Sequence, residues 1–176
     1  MKKLNFIIKC GLALLLLSFY SCESWLNVTP SDRLSEEMLF NDREGFVKAL
    51  NGVYIELNTN ELYGRNLTAG ALDVMGQYYS VASSSHAFYN YGGLVYTGND
   101  EKALFDNMWQ KCYAVIACCN TIIEKCDENK AGLSPVWKGA IKGEALALRA
   151  MLHFDMLRLF GPLTSELDKE SIPYQT

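Results

Sequence analysis

Between Asn58 and Asp100 the chain carries six of its ten tyrosines: Tyr63, Tyr78, Tyr79, Tyr89, Tyr91 and Tyr96. Asp73, Gln77, His86 and Asn90 are interleaved with them. A sugar ring offers C–H faces that lie flat on aromatic rings and hydroxyls that need polar partners. This stretch supplies both, and tyrosine does so at a low cost in side-chain entropy. The candidate ligand-binding residues are therefore Asp73, Gln77, Tyr78, Tyr79, His86, Tyr89, Asn90 and Tyr91. A competing account is that several of these tyrosines only pin a long loop onto neighbouring helices.

Other chemistries find less support. Asp73, Asp100, Glu101 and Asp106 could serve glycoside hydrolysis, which needs two carboxylates at a set separation. Nothing in the sequence marks them apart from a solvated face. There is no glycine-rich phosphate loop and no G-x-S-x-G nucleophile motif. His86 and His153 are the only histidines and lie far apart in the chain, so neither a catalytic dyad nor a metal site is expected. Cys112, Cys118, Cys119 and Cys126 fall in one expected helix. Successive seven-residue steps there are roughly 10 Å apart, beyond the reach of a disulfide. Their spacing matches no common zinc pattern, so they are expected to pack as small apolar residues. No catalytic residue, metal or cofactor is expected.

The elements that would position the aromatic stretch read as helices. Asn41 and Glu44 resemble a capping box, followed by Phe46, Val47, Leu50, Tyr54 and Leu57 at helical spacing. Glu101 to Asp127 carries a stripe of Phe105, Met108, Trp109, Cys112, Ile116, Cys119, Ile123 and Cys126, with Gly132 as a breaker. Pro135 suits the first turn of a further helix, which stops at Gly161-Pro162. Its second half is apolar nearly all round, the pattern of a helix buried on several sides. Arg149, Asp155 and Arg158 interrupt it, and Asp155 and Arg158 are spaced to pair. Trp109 and Tyr113 are expected in the core. Leu67 to Tyr79 includes a short helix. No strand signal appears, so the fold class is mainly α with one long aromatic loop, a length of irregular chain that in a compact domain usually serves function. Ala150, Phe154 and Pro162 have the spacing of the second helix of a tetratricopeptide repeat.

At the N-terminus, Met1–Lys9 holds three lysines and no acid, and an almost wholly apolar stretch continues to Phe19. Ser21 and Cys22 come next. A basic head, a short apolar middle and a small residue make a secretory signal. The apolar stretch is shorter than the roughly 20 residues of a membrane span. With cysteine after the small residue, the segment resembles a bacterial lipoprotein signal. That resemblance implies residues 1–21 as signal peptide, Cys22 as lipidation site, 22–34 as tether and 35–176 as domain. Phe19 and Tyr20 stand where such signals usually have leucine and a small residue. The alternative is an ordinary cleaved signal with a free cysteine. Cleavage before Cys22 leaves 155 residues with 13 basic against 20 acidic side chains, a net of −7. No basic block is present, so nucleic acid is not expected as a partner.

Four stretches together resemble the SusD/RagB family of outer-membrane nutrient-binding lipoproteins of Bacteroidota. They are C-E-S-W-L-N-V-T-P from Cys22, M-L-F-N-D-R-E-G-F-V-K-A-L-N-G-V-Y from Met38, W-Q-K-C-Y-A-V-I-A-C-C-N from Trp109, and G-E-A-L-A-L-R-A-M-L-H-F-D-M-L-R-L-F-G-P from Gly143. Ile172-Pro173-Tyr174 is similar to the family's continuation after that last helix. Family members are much longer, so the chain looks like the N-terminal portion of a helical, tetratricopeptide-like SusD-type fold, incomplete at its C-terminus. The resemblance implies a non-enzymatic lipoprotein on the outer face of the outer membrane. It would capture an oligosaccharide for a SusC-like TonB-dependent transporter. A peptide ligand, as in RagB-like relatives, and a helical module that binds only protein are the alternatives. The resemblance fixes none of the eight loop residues.

Overall fold

Three apolar stripes, each too wide to leave in water, meet around the larger of two cores. In the computed structural model, residues 35–162 and 171–176 are described. The expected signal peptide, the tether with Trp25, and the lipidation site Cys22 lie outside the described residues. In chain order the helices are α1 Glu36–Leu39, α2 Arg43–Leu57, α3 Ala71–Met75, α4 Tyr89–Gly92, α5 Asn99–Glu128 and α6 Pro135–Phe160. The described residues contain no strand, and the protein is mainly helical as its patterns predict. Glu37–Thr176 forms one compact unit.

Helices α5 and α6 pack along each other, and α2 lies against both. Phe46, Leu50, Val53 and Leu57 of α2 meet Met108, Cys112, Ile116, Cys119 and Ile122 of α5. Ile141, Ala145, Leu152 and Met156 of α6 complete the core. Cys112, Cys119 and Cys126 are buried as expected, but Cys118 is exposed. It points away because it is one residue, or 100°, off the buried stripe. The same arithmetic corrects α2: Val53 fills the core while Tyr54 is turned out, its hydroxyl donating to Glu144 Oε1 of α6 at 2.6 Å. The start of α2 also differs. Asp42, not Asn41, is the cap, and its Oδ1 accepts from Gly45 N at 2.8 Å. Gly45 is required there, because a Cβ would lie 1.5 Å from Leu39 O.

The α5–α6 turn is built from local chemistry. Asn129 adopts a left-handed φ of 48°. Its side chain then clasps Leu133, accepting from Leu133 N at 2.7 Å and donating to Leu133 O at 3.2 Å. Ser134 caps α6, its Oγ accepting from Trp137 N, with Pro135 in the first turn. Helix α6 is not enclosed on all sides. Val136, Trp137, Leu146, Met151 and Phe154 are exposed, Phe154 to 58%. Ala150 and Phe154 lie on this exposed face.

The polar interruptions in α6 are tied in. Asp155 is buried and its Oδ1 accepts from Arg158 Nη2 at 2.5 Å, while Oδ2 accepts from Tyr63 Oη at 2.5 Å. Arg149 Nη1 donates to Asn120 Oδ1 of α5 at 2.7 Å. Residues 171–176 run back over the long helices. Ile172 is buried, Tyr113 Oη donates to Pro173 O at 2.8 Å, and Gln175 N donates to His153 Nε2 at 3.1 Å.

Candidate binding site

The aromatic stretch is not a free loop. It has a small core of its own, in which Ala71, Val74 and Tyr91 are buried, with Phe88, Tyr96 and Phe105 packed around them. Short helices α3 and α4 pack together there. Gln77 joins them: in a left-handed turn with φ of 59°, its Nε2 donates to Gly92 O at 2.9 Å and Val74 O at 3.2 Å. Tyr79 folds back so that its hydroxyl donates to Ala69 O, with a second contact to Gly70 O at 3.2 Å. Edge-on aromatic contacts carry this small core onto the scaffold, from Phe88 to Tyr91 to Phe105 to Phe160 to Trp109. Such contacts orient the rings as well as bury them.

Two clefts lie on this surface and share Tyr89 and Asn90. One, of about 390 Å³, is lined by Gln77, Tyr79, Val81 and Val95 besides the shared pair. The other, of about 590 Å³, adds Arg65, His86, Phe88, Asp100 and Glu101. Both have the size of small-ligand sites. Tyr89 is 42% exposed, so a ring face is open to solvent at the boundary between them.

The expected residues thus divide. Gln77, Tyr79, His86, Tyr89, Asn90 and Tyr91 come together on the clefts. Tyr78, 83% exposed, and Asp73 line neither. Tyr91 lines the larger cleft but is only 2% exposed, and it chiefly holds the small core. Its buried hydroxyl is pushed up to about 12, by desolvation first and by Glu101 and Asp100 second. The pinning account holds for Tyr91 and for the hydroxyl of Tyr79. Arg65, Phe88 and Glu101 were not expected as binding residues. Arg65 sits 5.7 Å over the Phe88 ring, and its Nε donates to Asn66 Oδ1 at 3.1 Å. Glu101 is not on a solvated face: it is 6% exposed and accepts from Asn90 Nδ2 at 2.8 Å. No local pattern signals this, since burial of Glu101 depends on α4 folding over the first turn of α5.

Among the described residues no cluster of three histidine, cysteine or acidic side chains could hold a metal ion. No described helix is long and apolar enough to cross a membrane. Away from the aromatic surface, a cleft of about 440 Å³ adjoins the start of α2, where Arg43 lies 4.7 Å over the Trp137 ring.

The helical scaffold thus bears two clefts beside a small aromatic core. The chain belongs to the SusD-like family: the family model described as "Starch-binding associating with outer membrane" matches residues 24–176. It is also 26% identical over 166 residues to SusD-like protein P2 of Formosa agariphila, covering 92% of this chain. The chain spans 30% of that relative's length. No solved structure matches significantly.

Proposed function

We propose that the protein is a lipid-anchored, surface-exposed outer-membrane lipoprotein that binds an oligosaccharide and delivers it to a SusC-like TonB-dependent transporter. Cys22 is the proposed lipid attachment point. The observation that carries the reading is the pair of clefts sharing Tyr89 and Asn90, where an open ring face stands beside amide and carboxylate groups. A sugar ring stacks on the first and donates to the second. The family description supports both the glycan and the membrane. No step in this role requires catalysis.

The test is calorimetric titration of the full chain with neutral oligosaccharides. Tyr89→Ala is expected to weaken binding about fivefold or more, taking the about 1–3 kcal/mol that a base loses with its aromatic platform as the guide for a sugar face, with helicity unchanged by circular dichroism. Normal binding by that variant overturns the site. One observation favours a second reading. The outer face of α6, with Met151 and Phe154 exposed, suits contact with another protein. Copurification with an envelope protein without any glycan retention would make the chain a helical interaction module.

A further inference from the structure

Glu101 is a buried carboxylate that pairs with no lysine or arginine among the described residues, yet it lines the larger cleft. Its position is built in. It is the third residue of α5, where the helix dipole favours a negative charge. Gly98 makes room for it: a Cβ there would lie 2.0 Å from Glu101 Oε2. The exposed Asp100 lines the same cleft.

The chemistry of a carboxylate has two consequences here. It can only accept hydrogen bonds. Asn90 must therefore turn its NH2 toward Glu101, as the 2.8 Å contact shows, which leaves its carbonyl oxygen as the group available to a ligand donor. The carboxylate also repels anions, more strongly in a partly enclosed cleft than in open water. Among the described residues lining the cleft, one cation, Arg65, stands against two carboxylates, Asp100 and Glu101, so the formal charge is negative.

We propose that Glu101, with Asp100 beside it, determines the specificity of the site: it admits uncharged, hydroxyl-donating sugars and excludes sugars carrying carboxylate or sulfate. Rejection by like charge, alongside attraction of the right ligand, is how binding sites separate otherwise similar molecules. This inference rests on the glycan reading above and adds the charge class of the ligand and the residue that selects it.

The probes are maltoheptaose and its sulfated derivative, titrated into the full chain at fixed ionic strength. Wild type is expected to bind the neutral probe and to reject the sulfated one. Glu101→Gln keeps the shape and an acceptor for Asn90. The ratio of sulfated to neutral affinity is expected to rise about tenfold or more. Gly98→Ala displaces the carboxylate without removing its charge. It is expected to weaken neutral binding through Asn90 while the sulfated probe stays rejected. Should Glu101→Gln lose helicity, Asp100→Asn at the exposed neighbour carries the same test. Equal binding of both probes by wild type, or unchanged discrimination in Glu101→Gln, overturns the inference and leaves the glycan reading standing. Binding of neither probe by wild type overturns both.

Discussion

Among its single residues, the protein keeps several ionisable groups neutral by burying them. Burial, then the bond to Asp155, pushes the Tyr63 hydroxyl far above its usual range. Burial also raises the Cys112 thiol to about 12 and the Cys119 thiol to about 11. A group whose folded pKa is raised stabilises the fold fully below its unfolded pKa and loses that contribution as pH climbs through the folded value. The thiols therefore begin to cost stability above about pH 9 and the tyrosines above about pH 10. Denaturant midpoints measured across pH 8–12 are expected to fall steadily. Tyr63→Phe removes one hydrogen bond to the buried Asp155 and is expected to lower stability by about 1–2 kcal/mol at neutral pH, read from urea unfolding. Among the four described thiols, Cys118 is expected to react first with an alkylating reagent, since the other three are buried.

Among the elements, the helices were legible because a helix repeats its signal every turn. Both long helices begin and end within two residues of where their stripes, breaker and proline place them. What the periodicity missed is the phase. Val53 and Tyr54 are adjacent, both are apolar enough to fit a stripe, and only the direction of the neighbouring α6 decides which is buried. The cap of α2 went astray by the same single residue. Asp42→Ala is expected to cost about 1 kcal/mol and Asn41→Ala much less, as measured by thermal unfolding of the two variants. The candidate surface was legible in composition only. Aromatic and amide residues at short spacing drew attention to this segment, and six of the eight candidate residues line its two clefts. Glu101, eleven positions from Asn90, became visible only once α4 and α5 were seen together.

Across the molecule, the scaffold and the binding surface have separate interiors. The three larger helices enclose one cluster of buried residues, and Ala71, Val74 and Tyr91 enclose another beneath the aromatic surface. Leu104 and Phe105 touch both. Tyr89→Ala and Tyr78→Ala should therefore leave the unfolding transition of the full chain within experimental error of wild type, whereas Tyr91→Ala should destabilise it by several kcal/mol, as removal of a buried aromatic does. The division also bears on how such a protein diversifies. Exposed residues on the rim of the clefts, such as Tyr89, belong to neither interior, so the side chains there can be exchanged while the packing beneath them stays as it is.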